Sequence, residues 1–232
     1  MIFVIFAWQN MKIMKQISEK IFYVGVNDDD KVLFEGLWPL PYGVSYNSYL
    51  VVDEKVALID TVECGFEEEY LDDIRQVLGD RKVDYLVVNH MEPDHSSLIS
   101  LITEAYPDVR IVVNAKTVPM IKGYHGTPQD RLHVVAEGDA ISLGSCSLNF
   151  YMVPMVHWPE TMVTWVPEEN TVFAGDAFGT FGSVDEDPVD GEGVFEQYRD
   201  EMIRYYSNIV GKYGVPVQAA LKKLSSLPVE RI

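Results

Sequence analysis

The stretch NHMEPDHSS, residues 89–97, decides the fold of this chain. It places two histidines and two carboxylates in the spacing His-x-Glu-x-Asp-His over residues 90–95. The preceding run VDYLVV, residues 83–88, is continuously apolar and of strand length, which is typical of a strand buried on both faces. Because loops at strand ends can bring several side chains together, the stretch predicts a metal site at this strand end.

Two other segments carry metal-binding side chains just after predicted strands. His157 lies in YMVPMVHWPE, and Asp176 lies in VFAGDAFG. Carboxylates this close together repel one another unless a cation compensates them, and a carboxylate can also bridge two ions. Imidazole and carboxylate donors together suit first-row divalent metals. The predicted metal ligands are His90, Glu92, Asp94, His95, His157 and Asp176.

Composition narrows the function classes. The chain has 232 residues and a formal net charge of -18, which disfavours binding to nucleic acid or to an anionic membrane surface. Its two cysteines form no disulfide framework, so a reducing cytoplasm is the expected location. The apolar opening of ten residues is too short to span a bilayer. We predict an N-terminal extension of uncertain role at 1–14 and one domain at 15–232.

Hydrophobic patterning predicts strands with a helix, followed by strands with a helix. A hairpin is expected around Asp53, and KVLFEGL, residues 31–37, is predicted as one strand. A helix is expected over 66–78, and another beginning with Ser96 or Ser97 as its N-cap. A late helix from Val194 is predicted to bury one apolar stripe, which consists of Phe195, Tyr198, Met202, Tyr206 and Ile209. This order suits two packed sheets with helices outside, an α/β (α+β) class.

The motifs resemble a known family. The strand order and the clustered donors resemble the metallo-β-lactamase fold, an αββα sandwich of two mixed sheets whose shared signature is H-x-H-x-D-H. Here Glu92 stands where that signature has its second His. The combination of H-x-E-x-D-H, HWPE and GDAFG is similar to the diiron domain of the flavodiiron proteins, or A-type flavoproteins, which are oxygen and nitric oxide reductases. The resemblance runs from about Lys15 to the C-terminus.

Glu92 has an electrostatic rationale in such a site. Glu92, Asp94 and Asp176 supply three negative charges toward two divalent ions, and a bridging hydroxide would make the site neutral. An additional hard anionic oxygen favours iron over zinc and stabilises its ferric state. The pattern therefore favours a redox centre over a hydrolase.

The resemblance implies a division of the ligands between two irons. His90, Glu92 and His157 would hold one iron, Asp94 and His95 the other, and Asp176 would bridge them. In the family the second iron takes a further His, and a C-terminal flavodoxin-like domain binds FMN; the sequence contains neither, which predicts a C-terminally truncated chain. The resemblance also implies a homodimer in which FMN, reduced by a rubredoxin-like donor, feeds the diiron site.

Three functions follow as hypotheses. The first is reduction of O2 to water, or of NO to nitrous oxide, at a diiron centre. The second is a zinc hydrolase of the same fold, such as a thioesterase or lactonase, and the third is an incomplete, non-catalytic diiron fragment. For the further His that the family's second iron takes, two alternatives to truncation stay open: a water takes its place, or the second iron binds weakly. Two structural alternatives also stay open. The Gly- and Asp-rich stretch 179–193 is a lid or a solvated loop, and four aromatics either wall a dry gas pocket or belong to the core: Trp158, Phe178, Phe181 and Tyr124.

Overall fold

The computed structural model describes residues 15–126, 129–183 and 194–232. The expected N-terminal extension, residues 1–14, lies outside the described residues, as does most of the Gly- and Asp-rich stretch, residues 184–193. The strands are β1 (Lys15–Gln16), β2 (Ile21–Tyr23), β3 (Val26–Asp28), β4 (Leu33–Phe34), β5 (Trp38–Pro39), β6 (Val44–Tyr46), β7 (Tyr49–Val52), β8 (Val56–Ile59), β9 (Tyr85–Val87), β10 (Arg110–Asn114), β11 (Leu132–Val135), β12 (Ala140–Ser142), β13 (Ser147–Met152), β14 (Met162–Val166) and β15 (Thr171–Phe173). The α-helices are α1 (Glu67–Leu78), α2 (Pro93–Ser96), α3 (Ile99–Ala105), α4 (Thr117–His125), α5 (Val194–Tyr205) and α6 (Gly214–Leu224).

Two sheets carry the fold. The first has the order β1-β2-β7-β8-β9-β10-β11; its first three pairings are antiparallel, and the pairings from β8 to β11 are parallel. The second sheet has the order β12-β13-β14-β15, with antiparallel pairings. A parallel bridge from Arg231 to Thr171 lies beside β15. Two short hairpin-like pairs, β3 with β6 and β4 with β5, flank the sheets.

Alternation along the strands sends side chains into two separate hydrophobic layers. Ala57 and Ile59 of β8 face the second sheet, where they share a buried cluster with Phe150 of β13. The intervening Leu58 faces the helices and shares a cluster with Ile74 of α1. Because strand side chains alternate with a period of two, each sheet covers one face with the other sheet and one with helices. The layers therefore run helix, sheet, sheet, helix.

Most of the predicted elements are confirmed. The hairpin around Asp53 is β7 with β8, and the helix predicted over 66–78 is α1. Helix α4 does not figure among the sequence-based predictions; its Pro119 falls in the first turn, where a missing N–H costs no helical hydrogen bond.

The predicted N-cap at Ser96 or Ser97 is wrong. A separate helical turn, α2, already contains Ser96, and α3 follows from Ile99. The Ser96 hydroxyl donates back to the carbonyl oxygens of Met91 and Glu92 instead of capping a following helix. The chain therefore turns helical within the metal-binding motif itself.

Two further sequence-based predictions are wrong in detail. The segment 31–37 is not one strand, because Glu35 and Gly36 have φ values of 47° and 68° and turn the chain between β4 and β5. In the predicted stripe of the late helix, Ile209 is buried, and Tyr198 and Met202 are half-buried. Tyr206 is 41% exposed, and its neighbour Tyr205 is buried instead. The side chain of Phe195 lies outside the described part of the structure. A π-helical turn over Tyr206–Val210 follows α5, and its wider spacing shifts which side chains face inward.

A polar latch joins the two sheets at their hairpin ends. Asp53, in the β7–β8 turn, accepts hydrogen bonds from the backbone N–H of Cys146 (2.7 Å) and from the hydroxyl of Ser145 (3.0 Å) in the β12–β13 turn. The Lys20 ammonium lies 2.9 Å from the same carboxylate. Burial opposes ionisation, but Lys20 and the Cys146 N–H hold the pKa of Asp53 well below its usual value.

Replacing Asp53 with Asn should lower the free energy of unfolding by about 1–3 kcal/mol at pH 7, because charged hydrogen bonds across the sheets are lost. Since folding lowers the pKa of Asp53, its contribution is present above about pH 4 and disappears as the pH falls through the folded pKa. Urea denaturation at pH 7 and pH 3 measures both effects. The exposed Asp80→Asn variant is the matched control, and equal losses in the two variants would contradict the latch.

Candidate metal centre

The site lies where the ends of strands from the two sheets come together. Strands β8 and β9 run parallel, and their carboxyl ends lead into Asp60 and into the motif beginning at Asn89. In the second sheet β13 and β15 both run antiparallel to β14, so their carboxyl ends lie on the same side of that sheet. The first of these ends leads to His157 and the second to Asp176. Topology thus brings three separate segments together.

Local backbone structure shapes the motif. Glu92 is extended, with φ -60° and ψ 145°, and Pro93 occupies the first position of α2, where its fixed φ suits a helix start. The carbonyl oxygen of His95 accepts both the N–H (2.7 Å) and the hydroxyl (3.0 Å) of Thr61. The extended-to-helical switch therefore points the side chains of Glu92, Asp94 and His95 toward one place.

Four of the predicted ligands form the first cluster: His90, Glu92, His157 and Asp176, all buried, with one donor atom from each within 4.8 Å of the others. The Nε2 atom of His157 lies 2.8 Å from Glu92 Oε2 and 3.0 Å from Asp176 Oδ2. The Nε2 atom of His90 lies 3.2 Å from both of these oxygens. Donors arranged tetrahedrally around a metal at ordinary bond lengths lie roughly 3.4 Å apart, so the spacing suits an ion.

The remaining predicted ligands form a second cluster that overlaps the first. Asp94, His95 and Asp176 each offer a donor atom within 4.8 Å of the others. His95 Nε2 lies 2.8 Å from Asp176 Oδ1, whereas the first cluster uses the Oδ2 atom of the same carboxylate. Asp176 therefore faces both clusters with different oxygens, as a bridging carboxylate would.

Unpaired polar atoms show that the residues fit a bound cation. Glu92 Oε1 and Asp94 Oδ1 are buried without a hydrogen-bond partner. Burying such oxygens without a partner is costly, and a metal ion would satisfy them. The donor set of imidazoles and carboxylates is also one that first-row divalent metals take.

Burial and the neighbouring carboxylates shift the pKa values of the site residues. Burial raises the pKa of Asp94 to about 7, and the neighbouring Asp176 and Glu92 carboxylates add to that effect. Burial opposes charge on His157, but its hydrogen bonds with Asp176 and Glu92 raise its pKa to about 9. Without a cation, protons on these groups take up part of the negative charge.

Glu160 orients His90. Its Oε1 atom lies 2.9 Å from His90 Nδ1 and also accepts the backbone N–H of Met91 at 3.0 Å. A carboxylate at Nδ1 favours the proton on that nitrogen, which leaves Nε2 free to face the first cluster. Glu160 is 1% exposed and lies in the HWPE motif, yet no local pattern distinguishes it from a loop carboxylate.

Asp60 and Asn89 connect the second cluster, and the loop that begins at Asn89, to the rest of the fold. Asp60 Oδ1 accepts the N–H of Asn89 at 2.7 Å, and its Oδ2 lies 3.6 Å from His95 Nδ1. Asn89 accepts the hydroxyl of Thr164 (2.8 Å) and donates to the carbonyl of Phe173 (3.4 Å) in the second sheet. Asp60 directly follows β8, so its place at a strand end was the available sequence signal.

Glu35 and Tyr205 also reach the site and were missed from the sequence. The β4–β5 turn brings the Glu35 side chain to Glu92, and interaction with that carboxylate, together with burial, raises the pKa of Glu35 to about 7. Tyr205 is buried beside Asp176, and burial and that carboxylate hold its pKa well above the usual value. The β4–β5 turn that positions Glu35 and the π-helical turn next to Tyr205 are not predicted from the sequence, so neither residue is among the predicted site residues.

The other histidines lie apart from both clusters. His133 pairs with Val112 in the β10–β11 ladder, and its ring packs edge-on against Tyr85. His125 ends α4, where its Nδ1 lies 3.5 Å from the Ser100 hydroxyl.

The four aromatics considered for a dry pocket lie in different surroundings. Trp158 packs on His90, and Phe181 belongs to the core. Phe178 and Tyr124 are 49% and 72% exposed. They do not form one pocket.

The fold and the site define a metallo-β-lactamase-like protein with a shared His, Glu and Asp cluster. A family model described as "ODP family beta lactamase" matches residues 44–232, and the chain belongs to that family. The nitric oxide reductase of Moorella thermoacetica is 34% identical over 215 residues, which is 91% of this chain and 53% of the relative.

Solved structures agree with this assignment. The flavodiiron protein from Giardia intestinalis gives a TM-score of 0.88 at 27% identity, covering 94% of this chain and 53% of that one. Rubredoxin oxygen:oxidoreductase from Desulfovibrio gigas gives 0.86 at 30% identity, covering 94% and 54%. These matches confirm the predicted αββα fold and the resemblance to flavodiiron proteins. The chain spans about half the length of the curated relatives it matches.

Two other features concern membrane-spanning helices and the state of the cysteines. Within the described residues, no helix is both long and apolar enough to cross a bilayer. Both cysteines are free; Cys64 is exposed and Cys146 is buried.

Replacing Glu160 with Gln should weaken divalent-metal binding about 10–100-fold, because the carboxylate that orients His90 is lost while its shape is kept. Titration of the metal-free protein against a competing chelator measures the affinity. Glu196→Gln, at an exposed position of α5, is the matched control. An affinity equal to that of the unaltered protein would show that Glu160 does not orient a ligand.

In protein stripped of metal by a chelator, the free energy of unfolding should fall as the pH rises from about 6.5 to 9. A group whose pKa is raised on folding stabilises below its unfolded pKa, and that stability disappears as the pH rises through the folded pKa. The pKa of His157, raised to about 9, has this sign and gives the loss over this range. The pKa of Asp94, raised to about 7, has the same sign but acts at lower pH, between about pH 4 and 7. Urea denaturation of chelator-treated protein should show a loss of roughly 1–3 kcal/mol. His157→Gln should reduce the loss, and stability that rises over this range would refute the explanation.

Proposed function

We propose that this chain forms a diiron centre that reduces O2 to water, or NO to nitrous oxide. The observation that carries the proposal is the overlap of two donor clusters on the two oxygens of Asp176. The relatives include proteins named nitric oxide reductase, and a similar solved structure is named rubredoxin oxygen:oxidoreductase. The proposal treats residues 15–232 as one metallo-β-lactamase-like domain.

The two clusters suggest how the ligands divide. His90, Glu92 and His157 would hold one iron, and Asp94 and His95 would hold the other, with Asp176 between them. Among the described residues the first cluster offers four donors and the second three, counting Asp176 in each.

Charge supports iron over zinc. Three carboxylates reach the clusters directly, and Glu160 and Asp60 stand behind two of the imidazoles. Anionic oxygen donors in a buried site stabilise the more highly charged state of a metal ion. A zinc hydrolase needs no second oxidation state, so this excess of carboxylate favours a redox role.

A bound iron pair would supply the electrons and the binding position for the gas, and the residues around it would hold the protons and the geometry. Glu160 keeps the proton of His90 on Nδ1, so that Nε2 faces the cluster. The Tyr205 hydroxyl keeps its own proton beside Asp176, because burial and that carboxylate raise its pKa. Reduction of O2 to water consumes four protons, so a protonated donor beside the reacting position has a direct use.

The proposed electron supply runs through a flavin. We propose that FMN, in a flavodoxin-like domain or partner, passes electrons to the centre after reduction by a rubredoxin-like donor. A related protein is named flavorubredoxin, which supports this scheme. A homodimer would bring the FMN of one subunit to the diiron centre of the other. The free cysteines suit a reducing compartment, and a cytoplasmic location is part of the proposal.

The test begins with anaerobic reconstitution using ferrous iron, followed by metal analysis. We expect two irons per chain, and consumption of O2 or NO when chemically reduced FMN is supplied in solution. Glu92→His, which places an imidazole at this position, should lower the ratio of iron to zinc retained from an equimolar mixture and reduce gas consumption at least tenfold. The exposed Glu196→Gln variant should change neither quantity.

Other outcomes separate the competing functions. Zinc retention with thioester or lactone hydrolysis and no uptake of iron would refute the reductase and support a hydrolase. Two bound irons without gas consumption, in the presence of reduced FMN, would leave a non-catalytic diiron fragment. Glu92 turned away from an occupied site in a crystal structure would remove the charge argument for iron.

A further inference from the structure

Asp60 has a backbone conformation that is unusual for a residue other than glycine. Its φ is 55°, in the left-handed region, where the side chain of an L-amino acid crowds its own backbone. The residue is buried and directly follows β8. A non-glycine residue keeps such a conformation only where the surrounding structure holds it. Neighbouring groups must therefore fix the turn at Asp60.

Two fully buried hydroxyls meet at the carbonyl oxygen of Asp60. The hydroxyl of Ser48, between β6 and β7, donates to that oxygen at 3.0 Å and lies 3.2 Å from the Ile59 carbonyl, the longer of its two contacts. The hydroxyl of Tyr70 on α1 lies 2.8 Å from the Ser48 hydroxyl and 3.3 Å from the Asp60 carbonyl. The shortest contacts result when Tyr70 donates to Ser48 and Ser48 donates to the carbonyl. In the reverse order Tyr70 donates to the carbonyl, so either hydroxyl can hold the turn.

The turn directs two consecutive residues to His95. The Asp60 carboxylate lies 3.6 Å from Nδ1 of the imidazole ring. Thr61 donates its N–H (2.7 Å) and its hydroxyl (3.0 Å) to the backbone carbonyl of His95. The ring and the backbone of His95 are thus held from one turn, and His95 is the imidazole of the second cluster, with Asp94 and Asp176.

The first cluster is held from other places. Glu160 orients His90, and Asn89, which precedes His90, is bonded to the second sheet through Thr164. Asp60 also accepts the N–H of Asn89, so Asn89 is held from two sides. A disturbance of the turn at Asp60 should therefore reach the second cluster and leave the first in place.

We infer that Ser48 and Tyr70 are positioning residues for the second metal ion, acting on His95 through the turn at Asp60. The inference rests on the proposed function, since it requires two bound metal ions. An imidazole binds metal best when a partner fixes the orientation of its ring, and loss of that partner costs about 10–100-fold in affinity. Ser48 and Tyr70 hold the partner of His95, so their removal should weaken the second ion alone.

The double variant Ser48→Ala, Tyr70→Phe removes both hydroxyls and keeps nearly all of the buried hydrocarbon. Metal-free protein is titrated anaerobically with ferrous iron against a competing chelator. Binding of one ion should weaken about tenfold, while binding of the other changes by less than about twofold. A crystal structure of the variant should show the Asp60 carboxylate displaced from Nδ1 of His95. Each single variant should lose less affinity, because the remaining hydroxyl still donates to the Asp60 carbonyl.

Two further variants assign the effect. His95→Ala removes the imidazole of the second cluster, and adding the Ser48 and Tyr70 substitutions to it should cause no further loss, because residues that act through one ligand are not additive. Ile74→Val is the matched control for general destabilisation. It removes buried hydrocarbon from α1, four residues after Tyr70, without touching a polar group. It should leave the affinity for both ions unchanged.

The outcomes separate positioning from a structural role. Equal weakening of both ions, weakening of the first alone, or unchanged affinity in the double variant would overturn the inference, as would an equal effect of Ile74→Val. If the double variant does not fold, the single variants decide, and unchanged affinity for the second ion in both would overturn it.

Failure of the proposed function gives a different result. Binding of fewer than two irons by the unaltered protein would overturn the proposed function, and this inference with it. Two irons bound by the unaltered protein, with no selective loss in the variants, would overturn the positioning role of Ser48 and Tyr70 alone.

Discussion

Negative charge is buried where the strand ends of the two sheets meet, and the rest of this structure depends on that constraint. Glu92 and Asp94 each place a carboxylate oxygen within 4.8 Å of an oxygen of Asp176. Glu160 and Asp60 add two more carboxylates, next to the imidazoles of His90 and His95. In a low-dielectric interior such like charges repel strongly unless protons or cations compensate them. The raised pKa values of the nearby imidazoles show that positive charge is drawn to this place. The cluster therefore selects cations through its own electrostatics.

A rigid frame keeps those charges together against their repulsion. The donors lie in segments that follow strands, with Asp94 and His95 in the short helix α2, and hydrogen bonds tie these segments to both sheets. Asn89 bonds to Thr164 and Phe173 of the second sheet, while Thr61 holds the carbonyl of His95. Sites held in this way keep their geometry when a ligand binds, because the supporting side chains have little freedom to move.

The site has a polar side and an apolar side, and the same loops make both. His157 and Asp176 face the charged cluster, whereas their neighbours Val156 and Ala177 line an apolar groove between the second sheet and α6. Adjacent residues in an extended or turning segment point in different directions, so one short loop can line two chemically opposite spaces. This arrangement places hydrocarbon close to a concentration of charge without mixing the two. It also joins the packing of α6 to the surroundings of the metal centre.

The sequence by itself indicated two packed sheets with helices outside and the six donors, because each donor follows an apolar run and the spacing of residues 90–95 is local. The αββα fold followed from the resemblance of the motifs to flavodiiron proteins. Tertiary structure alone decided what surrounds the donors. Glu35 reaches Glu92 through a turn with two positive φ angles, and Tyr205 rather than Tyr206 faces inward beside a π-helical turn. The contact between Glu160 and His90 joins residues 70 positions apart. Local periodicity carries no information about such contacts, since they depend on how the two sheets pack and on where each turn aims its side chains.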